Sequence, residues 1–324
     1  MSIKNVSQDK THGNSRLEFN ITGPEINYVI VNTLRRMVLS DVPIYAFSEF
    51  TFTKNNSIFH NNFIKNQIKN MPVWGIDNKI EYYEKVKVNK AEKAVEIEDL
   101  EDNVELSVDK KVDSTSLDQL TMYVDYENKS NDNYVVTTND AKFYFAQKQI
   151  ENPYKNNIQI VKLQPKQYIS FNVVTSIGIE KENTIYSPVS ICVYEQKSDN
   201  DFRFIMESKG QLTEKRILKV AILNLLKKLQ DISDQVAETS TSKEESGEIQ
   251  INKEDHTFGN LLTHGLQNHK NISFAGYNMP HPLEKRVVIS YKLKSGNFVD
   301  IFKSLVKDFI ELFTKIDKVL DKTI

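Results

Sequence analysis

The residues of this sequence that are best suited to chemistry are two histidines and a carboxylate in the last third of the chain. Asp255 and His256 are adjacent, and His264 follows eight positions after His256, which would place both imidazoles on one helix face. Imidazole and carboxylate groups bind Zn²⁺ in hydrolytic enzymes, so a metal-dependent hydrolase is one hypothesis. The HExxH spacing is absent, and no cysteine or glutamate joins the histidines at ligand spacing. We therefore favour a structural role, in which His256 forms hydrogen bonds within a helix–turn corner.

A second candidate is a pair of arginines near the beginning of the chain. Arg35 and Arg36 follow Asn32 by three and four positions, which would place all three side chains on one helix face. Guanidinium groups bind phosphate, but no further basic cluster and no interleaved aromatic residues surround this pair. They also bind carboxylates and carbonyls with fixed geometry, which suits a contact between proteins. A protein contact and a solvent-exposed helix face are the stronger interpretations, and phosphate binding is the weakest of the three.

Other catalytic constellations are missing from the sequence. The acidic runs Glu98–Asp102 and Asp199–Asp201 lie in polar, loop-like surroundings, which favours exposed surface over a two-metal site. Cys192 is the single cysteine, which excludes an internal disulfide and any zinc site of several thiolates. No phosphate-binding loop of the form GxxxxGKS/T or GxGxxG occurs. We therefore predict no catalytic residue, no cofactor and no metal.

Composition limits the class of protein. The 324 residues suffice for two or three domains, and 39% hydrophobic with 27% charged residues is typical of a soluble chain. The net charge of -2 argues against a protein whose main task is to bind nucleic acid. Residues 1–16 are polar and lack the apolar segment of a signal peptide, and no run approaches the roughly 20 apolar residues of a membrane span. We expect a soluble, intracellular protein.

The arginine pair lies on the first helix that the sequence predicts. Residues 1–15 are expected to be a flexible polar tail. Alternation at Leu17–Ile21 predicts a strand, and apolar residues spaced by four, four and three predict a helix over Glu25–Ser40. A further strand, Ile44–Lys54, and a second helix, about Phe59–Asn70, follow.

The middle of the chain changes to short alternating strands and then to a long helix. Residues 81–113 are dense in charge and carry the weakest structural signal. Thr213–Ile232 is predicted to be a strongly apolar helix. Residues 233–247 are expected to be a flexible linker, because their composition cannot form a core. Short strands are predicted at Leu120–Tyr126, Tyr134–Thr137, Ile158–Leu163 and Tyr168–Ser176.

The histidines lie on a helix between strands, and a long helix follows. Alternation predicts a strand at Glu248–Asn252, and Thr257 is expected to cap the helix that carries the histidines. Gly259, in the first turn of that helix, indicates close approach of another backbone. Strands are predicted at Ile272–Asn278 and Lys285–Lys294, and the apolar stripe of the last helix comprises Phe298, Phe302, Leu305, Phe309, Leu312, Ile316 and Val319.

The two halves of the chain form a weak internal repeat of strand, helix, strands and long helix. Two sets of motifs also carry a resemblance to a known family. Motifs near the end are Glu254–Leu262, Phe274–Tyr277 and Pro280–Leu283. They resemble the small, L-type subunit of cellular multi-subunit RNA polymerases. Motifs earlier in the chain are Asn32–Arg36, Asp41–Pro43 with Ala46, Lys162–Gln167, Gly178–Glu182, Ser187–Val189 and Phe204–Gly210. They resemble the larger, D-type alpha-like subunit.

Together the resemblances imply a single-chain fusion of the D-type and L-type subunits, similar to fusions in large DNA viruses that replicate in the cytoplasm. The implied fold class is α+β: two alpha-like dimerisation units, each strand–helix–strand–long helix, form a pseudo-heterodimer with a mostly β insert in the first unit. Residues 16–76 and 200–232 would form the D-like domain, residues 77–199 the insert, and residues 248–324 the L-like domain. Many D-type subunits carry a cysteine cluster for zinc or iron–sulfur in this insert, which Cys192 alone cannot build.

The resemblance implies a non-catalytic assembly platform of DNA-directed RNA polymerase, cytoplasmic (virus factory or virion) if viral and nuclear if cellular. Its implied partners are the largest and second-largest polymerase subunits and small adaptor subunits, with DNA met only through the complex and no membrane. The arginine pair would contact a large subunit or the other half of the chain. The implied assembly-interface residues are Asn32, Arg35, Arg36, His256, Thr257, Gly259, Asn260, Gly276, Tyr277, His281, Pro282, Phe302, Leu305 and Phe309.

Overall fold

The computed structural model describes residues 1–11, 14–76, 119–239, 245–281 and 284–324. They fall into two units. The first unit takes in Met1–Ala46, Pro72–Tyr82 and Ile177–Ile324, and the second takes in Phe47–Met71 and Tyr83–Ser176. We call residues 1–239 the first half of the chain and residues 245–324 the second half.

Helices and strands are mixed along the chain. The helices are α1 (Tyr28–Ser40), α2 (Asn61–Lys69), α3 (Glu214–Thr239), α4 (His256–Gln267) and α5 (Phe298–Thr323). The strands are β1 (Ser2–Thr11), β2 (Asn14–Thr22), β3 (Ile44–Asn55), β4 (Leu120–Glu127), β5 (Tyr134–Thr137), β6 (Ala141–Phe145), β7 (Lys148–Ile150), β8 (Gln159–Leu163), β9 (Tyr168–Gly178), β10 (Val189–Ser198), β11 (Asp201–Ser208), β12 (Ser246–Asn252), β13 (Ile272–Asn278) and β14 (Arg286–Leu293). None of the described helices has the length and apolar character that crossing a bilayer requires.

The first unit is built from two antiparallel sheets and the helices that cover them. One sheet has the strand order β1–β2–β11–β10, and the other has the order β12–β14–β13. Phe19 on β2 lies opposite Phe204 on β11, and their rings stack with centroids 5.2 Å apart. Helix α1 packs on β10, and α4 packs on β13. Apolar residues of both halves join in one continuous core, so the two halves fold as one body in this unit.

Helices α1 and α4 begin at side-chain caps that differ from the expected ones. Helix α1 begins three residues later than predicted, where the side chain of Asn27 accepts hydrogen bonds from the backbone N–H groups of Val29 and Ile30. Helix α4 is capped by Asp255, whose Oδ1 accepts from the N–H of Thr257 at 2.9 Å. The expected cap, Thr257, instead lies inside the first turn. Both residue types cap well, and only the backbone path selects between neighbours.

Three segments of the first unit differ from the expected organisation. The expected tail contains β1, which pairs with β2 and buries Ile3. Helix α3 continues seven residues beyond Ile232 and buries Val236, so its end lies within the expected linker. Strand β10, expected in the insert, pairs with β11 in the first unit. Each difference arises from strand pairing or packing, which the hydrophobic pattern of the segment itself does not reveal.

The second unit contains a five-stranded sheet of order β3–β9–β4–β6–β7 and a two-stranded sheet of β5 and β8. Helix α2 lies beside β8, where the side chain of Gln67 donates a hydrogen bond to the carbonyl of Gln159 at 3.0 Å. The helix is shorter than predicted, because His60 caps it by accepting from the N–H of Asn62. The segment 81–113, for which the sequence predicts no definite structure, lies outside the described residues.

Candidate assembly interface between the two halves

Four helices bring the two halves of the chain together in the first unit. Helix α3 of the first half packs against α5 of the second half, and α1 packs against α4. The apolar stripe of α5 explains this arrangement, since Phe302, Phe313 and Ile316 are fully buried. A helix with so broad an apolar face needs partners on more than one side. The contact of α3 with α5 is therefore at once an interface between halves and a part of the core.

Two of the predicted interface residues on α5, Leu305 and Phe309, also pack within the second half. Both side chains lie over Gly265 on α4. A Cβ atom at Gly265 would come within 2.7 Å of each of them, so only glycine permits this approach of α4 to α5. Sequence reasoning missed Gly265, although a glycine in the middle of a predicted helix is itself a signal of close packing.

Arg36 makes a direct polar contact between the halves. Its Nε donates a hydrogen bond to the hydroxyl of Thr257 at 2.7 Å, and its Nη2 lies 4.0 Å from the carboxylate of Asp255. Asp255 also forms an ion pair with Lys181, with 2.8 Å between Nζ and Oδ2. Of the interpretations left open by the sequence, the structure therefore matches a contact of Arg36 with the other half of the chain.

Lys228 on α3 forms a second contact between the halves. Its Nζ lies 2.5 Å from Oδ1 of Asp41 in the first half and 3.8 Å from Oε2 of Glu254 in the second half. The amide of Asn224 fixes this arrangement by donating to the carbonyl of Asp41 at 2.7 Å. Three cations and three carboxylates thus meet at the N-terminus of α4. We call this group the inter-half charge cluster: Arg36, Asp41, Lys181, Lys228, Glu254 and Asp255.

Burial and unequal distances shift the pKa values of the ionisable groups in this cluster. Burial raises the pKa of Glu254 to about 7, although Lys228 and Lys181 oppose the shift. Burial also acts against the charged form of Asp255, but its ion pair with Lys181 and its cap hydrogen bond hold the pKa well below the usual range. For Lys228, burial is outweighed by Asp41 and Glu254, and the pKa is raised. Lys228 is closer to Asp41 than to Glu254, so Glu254 is the weakly paired member of the cluster.

Tyr277 connects several predicted positions at the start of α4. Its hydroxyl lies 3.4 Å from Nδ1 of His256, and the two rings meet edge to face at 5.9 Å. The ring of Tyr277 also lies over Gly259, where a Cβ atom would be 2.6 Å from it. The close approach predicted at Gly259 is therefore to an aromatic ring and not to a backbone. Gly276 has a similar role beneath Phe274, whose ring would lie 3.2 Å from a Cβ atom.

Two of the remaining predicted positions pair with each other within α1. Nε of Arg35 donates to the side chain of Asn32 at 3.0 Å within α1. Asn260 is half-buried on α4, and His281 is exposed in the loop after β13. Pro282 lies outside the described residues.

The histidines are not arranged as metal ligands. His256 and His264 are separated by eight residues of α4, which is about 12 Å along a helix axis, so one ion could not bind both. His264 instead meets the ring of Tyr28 edge to face, and its ring nitrogen accepts a hydrogen bond from the side-chain amide of Asn268. Across the ranges that the structure describes, no group of three or more His, Cys, Asp or Glu side chains could hold a metal ion.

Four charged residues of the cluster were missed by sequence reasoning: Asp41, Lys181, Lys228 and Glu254. A weak signal was present for Lys228, because it lies beside the apolar positions Leu225 and Leu229 of α3. A lysine there is either an exposed neighbour of the stripe or a buried partner of a carboxylate. Only the fold, which brings Asp41 and Glu254 to it, decides between these alternatives.

Comparisons with known proteins bear on both halves. Residues 246–319 match the family model described as the RNA polymerase Rpb3/Rpb11 dimerisation domain. A protein of Acanthamoeba polyphaga mimivirus, named as a DNA-directed RNA polymerase subunit, is 27% identical over 94% of this chain and 89% of its own length. The subunit RPAC2 of RNA polymerases I and III of Caenorhabditis briggsae is 40% identical over 18% of this chain and 38% of its own length. The RNA polymerase II subunit RPB11 of the same organism is 32% identical over 23% of this chain.

The matches to these cellular relatives span less than two thirds of the relatives' length, 38% of RPAC2 and 62% of RPB11. The match to the mimivirus protein, by contrast, runs through nearly the whole chain. Together they confirm the resemblance to alpha-like polymerase subunits and the predicted α+β fold class with an alpha-like dimerisation unit.

Proposed function

We propose that this chain, a homologue of DNA-directed RNA polymerase subunits, is the non-catalytic platform on which such a polymerase assembles. It combines the D-like and L-like members of the alpha-like pair in one polypeptide. Its two halves pair within the chain, and the module that results docks the second-largest and the largest subunits. Small adaptor subunits bind the D-like half, and DNA is met only through the complex. We place this activity in the cytoplasm, in a virus factory or virion.

One observation carries this proposal: the first and second halves share a single core and a set of polar contacts. Helix α3 packs on α5, Arg36 donates to Thr257, and Lys228 lies between Asp41 and Glu254. The second half also contains the match to a dimerisation domain. An element that pairs with a partner chain in a heterodimer would here pair with its own chain. The tether would make this pairing intramolecular and fix its stoichiometry at one to one.

The first experiment on this proposal is purification of the tagged chain from its native host, followed by mass spectrometry. We expect two large polymerase subunits in equal amount and no separate L-type subunit. A separate L-type subunit in the complex would contradict the role of the second half. A chain that is recovered alone would contradict the platform function.

A second experiment tests whether the halves hold together without the tether. A protease site replaces residues 240–244, and the chain is cut after folding. We expect the two fragments to elute together in size-exclusion chromatography at micromolar concentration, because their shared core is buried and apolar. Separate elution would show that the covalent connection, and not the interface, keeps the halves together.

The alternative function was a metal-dependent hydrolase using His256 and His264. The relatives named above are polymerase subunits and lend it no support. The separation of the two histidines along α4 also argues against it. We therefore do not propose it further.

A further inference from the structure

The second unit carries a groove outside the contacts between the two halves. It lies between α2 and β8 and encloses about 320 Å³. Two phenylalanines form one wall, and side-chain amides and a lysine complete the lining. The lining residues that matter here are Phe59, Phe63, Asn66, Asn70, Gln159 and Lys162.

Aromatic and aliphatic side chains at this groove are unusually exposed. Phe63 is 56% exposed and Ile58 is 66% exposed. The rings of Phe59 and Phe63 stack with centroids 5.0 Å apart, so the pair presents a flat apolar surface to solvent. Tyr168, at the start of β9, is a further aromatic residue with 38% exposure. Exposed aromatic groups in a cluster indicate a binding surface.

The chain segments on both sides of the groove carry lysines and no carboxylates. Residues 50–71 and residues 152–176 contain no aspartate or glutamate, in a protein whose net charge is -2. Within the part of the chain that the structure describes, none of their lysines forms an ion pair with a carboxylate. These lysines are Lys54, Lys65, Lys69, Lys155, Lys162 and Lys166.

Hydrogen bonds hold the two lysine-bearing segments side by side. Gln67 on α2 donates to the carbonyl of Gln159 on β8. The side chain of Asn56 accepts from the N–H of Tyr168 at 2.6 Å, and the N–H of Asn56 donates to the carbonyl of Tyr168 at 3.3 Å. The aromatic pair, the amides and Lys162 therefore line one groove, and the other lysines lie on the same two chain segments. Glu127, opposite Tyr168 on β4, pairs with Lys129.

We propose that this groove binds single-stranded RNA, a contact beyond the proposed assembly function. A base stacks on the exposed ring of Phe63, and the lysines neutralise the phosphates on either side. The amides of Asn66, Asn70 and Gln159 offer both donors and acceptors to the edges of the base. An acidic peptide would also meet the lysines, but its carboxylates do not stack on an aromatic ring as a base does. The exposed, stacked aromatic pair therefore favours a nucleic acid.

Fluorescence anisotropy of the full chain with labelled oligonucleotides tests the proposal. The probes are a twelve-nucleotide oligouridylate and a twelve-nucleotide oligodeoxythymidylate, which distinguish RNA from DNA. Phe63→Ala should weaken binding by about fivefold or more, the lower end of the effect of losing one base–aromatic stack. Lys162→Gln should weaken binding and reduce the slope of log affinity against log salt by about 0.7, as expected for one phosphate contact.

Matched controls come from the second half of the chain. Phe274→Ala removes a phenylalanine that is 58% exposed, and Lys294→Gln removes an exposed lysine. Both should leave the affinity unchanged, and thermal melting should show that all four variants are folded.

Three outcomes would overturn the proposal. The first is a wild-type chain that does not bind the oligouridylate, and the second is binding that Phe63→Ala and Lys162→Gln leave unchanged. The third is a labelled glutamate-rich peptide that binds the groove while both oligonucleotides fail. That result would identify the groove as a protein-docking surface. The pairing of the two halves, which concerns the first unit, is tested separately by the experiments described above.

Discussion

Replacement of Glu254 by glutamine should stabilise the first unit at high pH and leave its stability nearly unchanged at low pH. Glu254 is buried between the halves, and its Oε2 accepts no hydrogen bond from any residue that the structure describes. Burial raises its pKa from the ordinary value of 4.5 to about 7. The favourable contribution of the protonated carboxyl is therefore fully present below the unfolded pKa and is lost as pH rises through about 7.

The magnitude follows from the size of this rise. Each pH unit between the two pKa values corresponds to about 1.4 kcal/mol, so the full difference is about 3 kcal/mol. The difference in free energy of unfolding between Glu254→Gln and the wild type should therefore grow by about 2.5 kcal/mol between about pH 5 and about pH 8, with the remainder of the effect below pH 5. Taking this difference cancels the contribution of every other titrating group that the substitution leaves unchanged.

Urea unfolding followed by tryptophan fluorescence is the appropriate assay. The chain has one tryptophan, Trp74, which lies in the first unit and donates its indole N–H to the carbonyl of Lys209. Its emission therefore reports the unit that contains the inter-half charge cluster. Glu311→Gln, at an exposed position of α5, is the control for removal of one negative charge. A Glu254→Gln variant whose advantage is the same at both pH values would refute the argument.

Three further predictions concern the same unit. Asp255→Asn should destabilise the first unit, because the lowered pKa of Asp255 contributes stability above pH 4 that is lost as pH falls. Urea unfolding should therefore show a lower free energy of unfolding than the wild type at both about pH 5 and about pH 8. A double-mutant cycle of Arg36→Ala with Thr257→Val should give a coupling of about 0.5–1.5 kcal/mol, and additive effects would contradict the contact between halves. Gly265→Ala should lower the free energy of unfolding by about 1–2 kcal/mol despite the better helix propensity of alanine, because the new methyl group meets Leu305 and Phe309. Phe309→Leu in the same chain should restore part of this stability, and a Gly265→Ala variant more stable than the wild type would be the contrary result.

The sequence predicted the larger elements because their signals are local. The stripe of α5 repeats every three or four residues along the helix, and alternation marks β12 equally clearly. Periodicity of this kind is a property of neighbouring residues, so it needs no knowledge of the fold. The motif at Glu254–Leu262 likewise placed the start of α4 within two residues of its position in the structure.

Boundaries and strand partners were less accessible, because the hydrophobic pattern of a segment shows neither its strand partner nor its helix cap. Residues 1–11 were expected to be a tail because they are polar, yet β1 pairs with β2 and gains its hydrogen bonds from that strand. Strand β10 looked like a member of the insert because it follows other strands, but its partner is β11. Helix α1 begins three residues later than predicted because Asn27 caps it, and the spacing of apolar residues does not reveal a cap.

The candidate assembly interface likewise has features that the sequence determined and features that only the tertiary structure decided. The amino-acid sequence alone determined that α3 and α5 each present an apolar face that must be covered, and that Arg36 shares a helix face with a second arginine and an asparagine. Tertiary structure alone decided that Arg36 donates a hydrogen bond to Thr257 in the other half, while Arg35 donates to Asn32 within α1. It also decided that Lys228 is shared unequally between two carboxylates, because charge pairing depends on distances of a few ångströms between residues far apart in sequence.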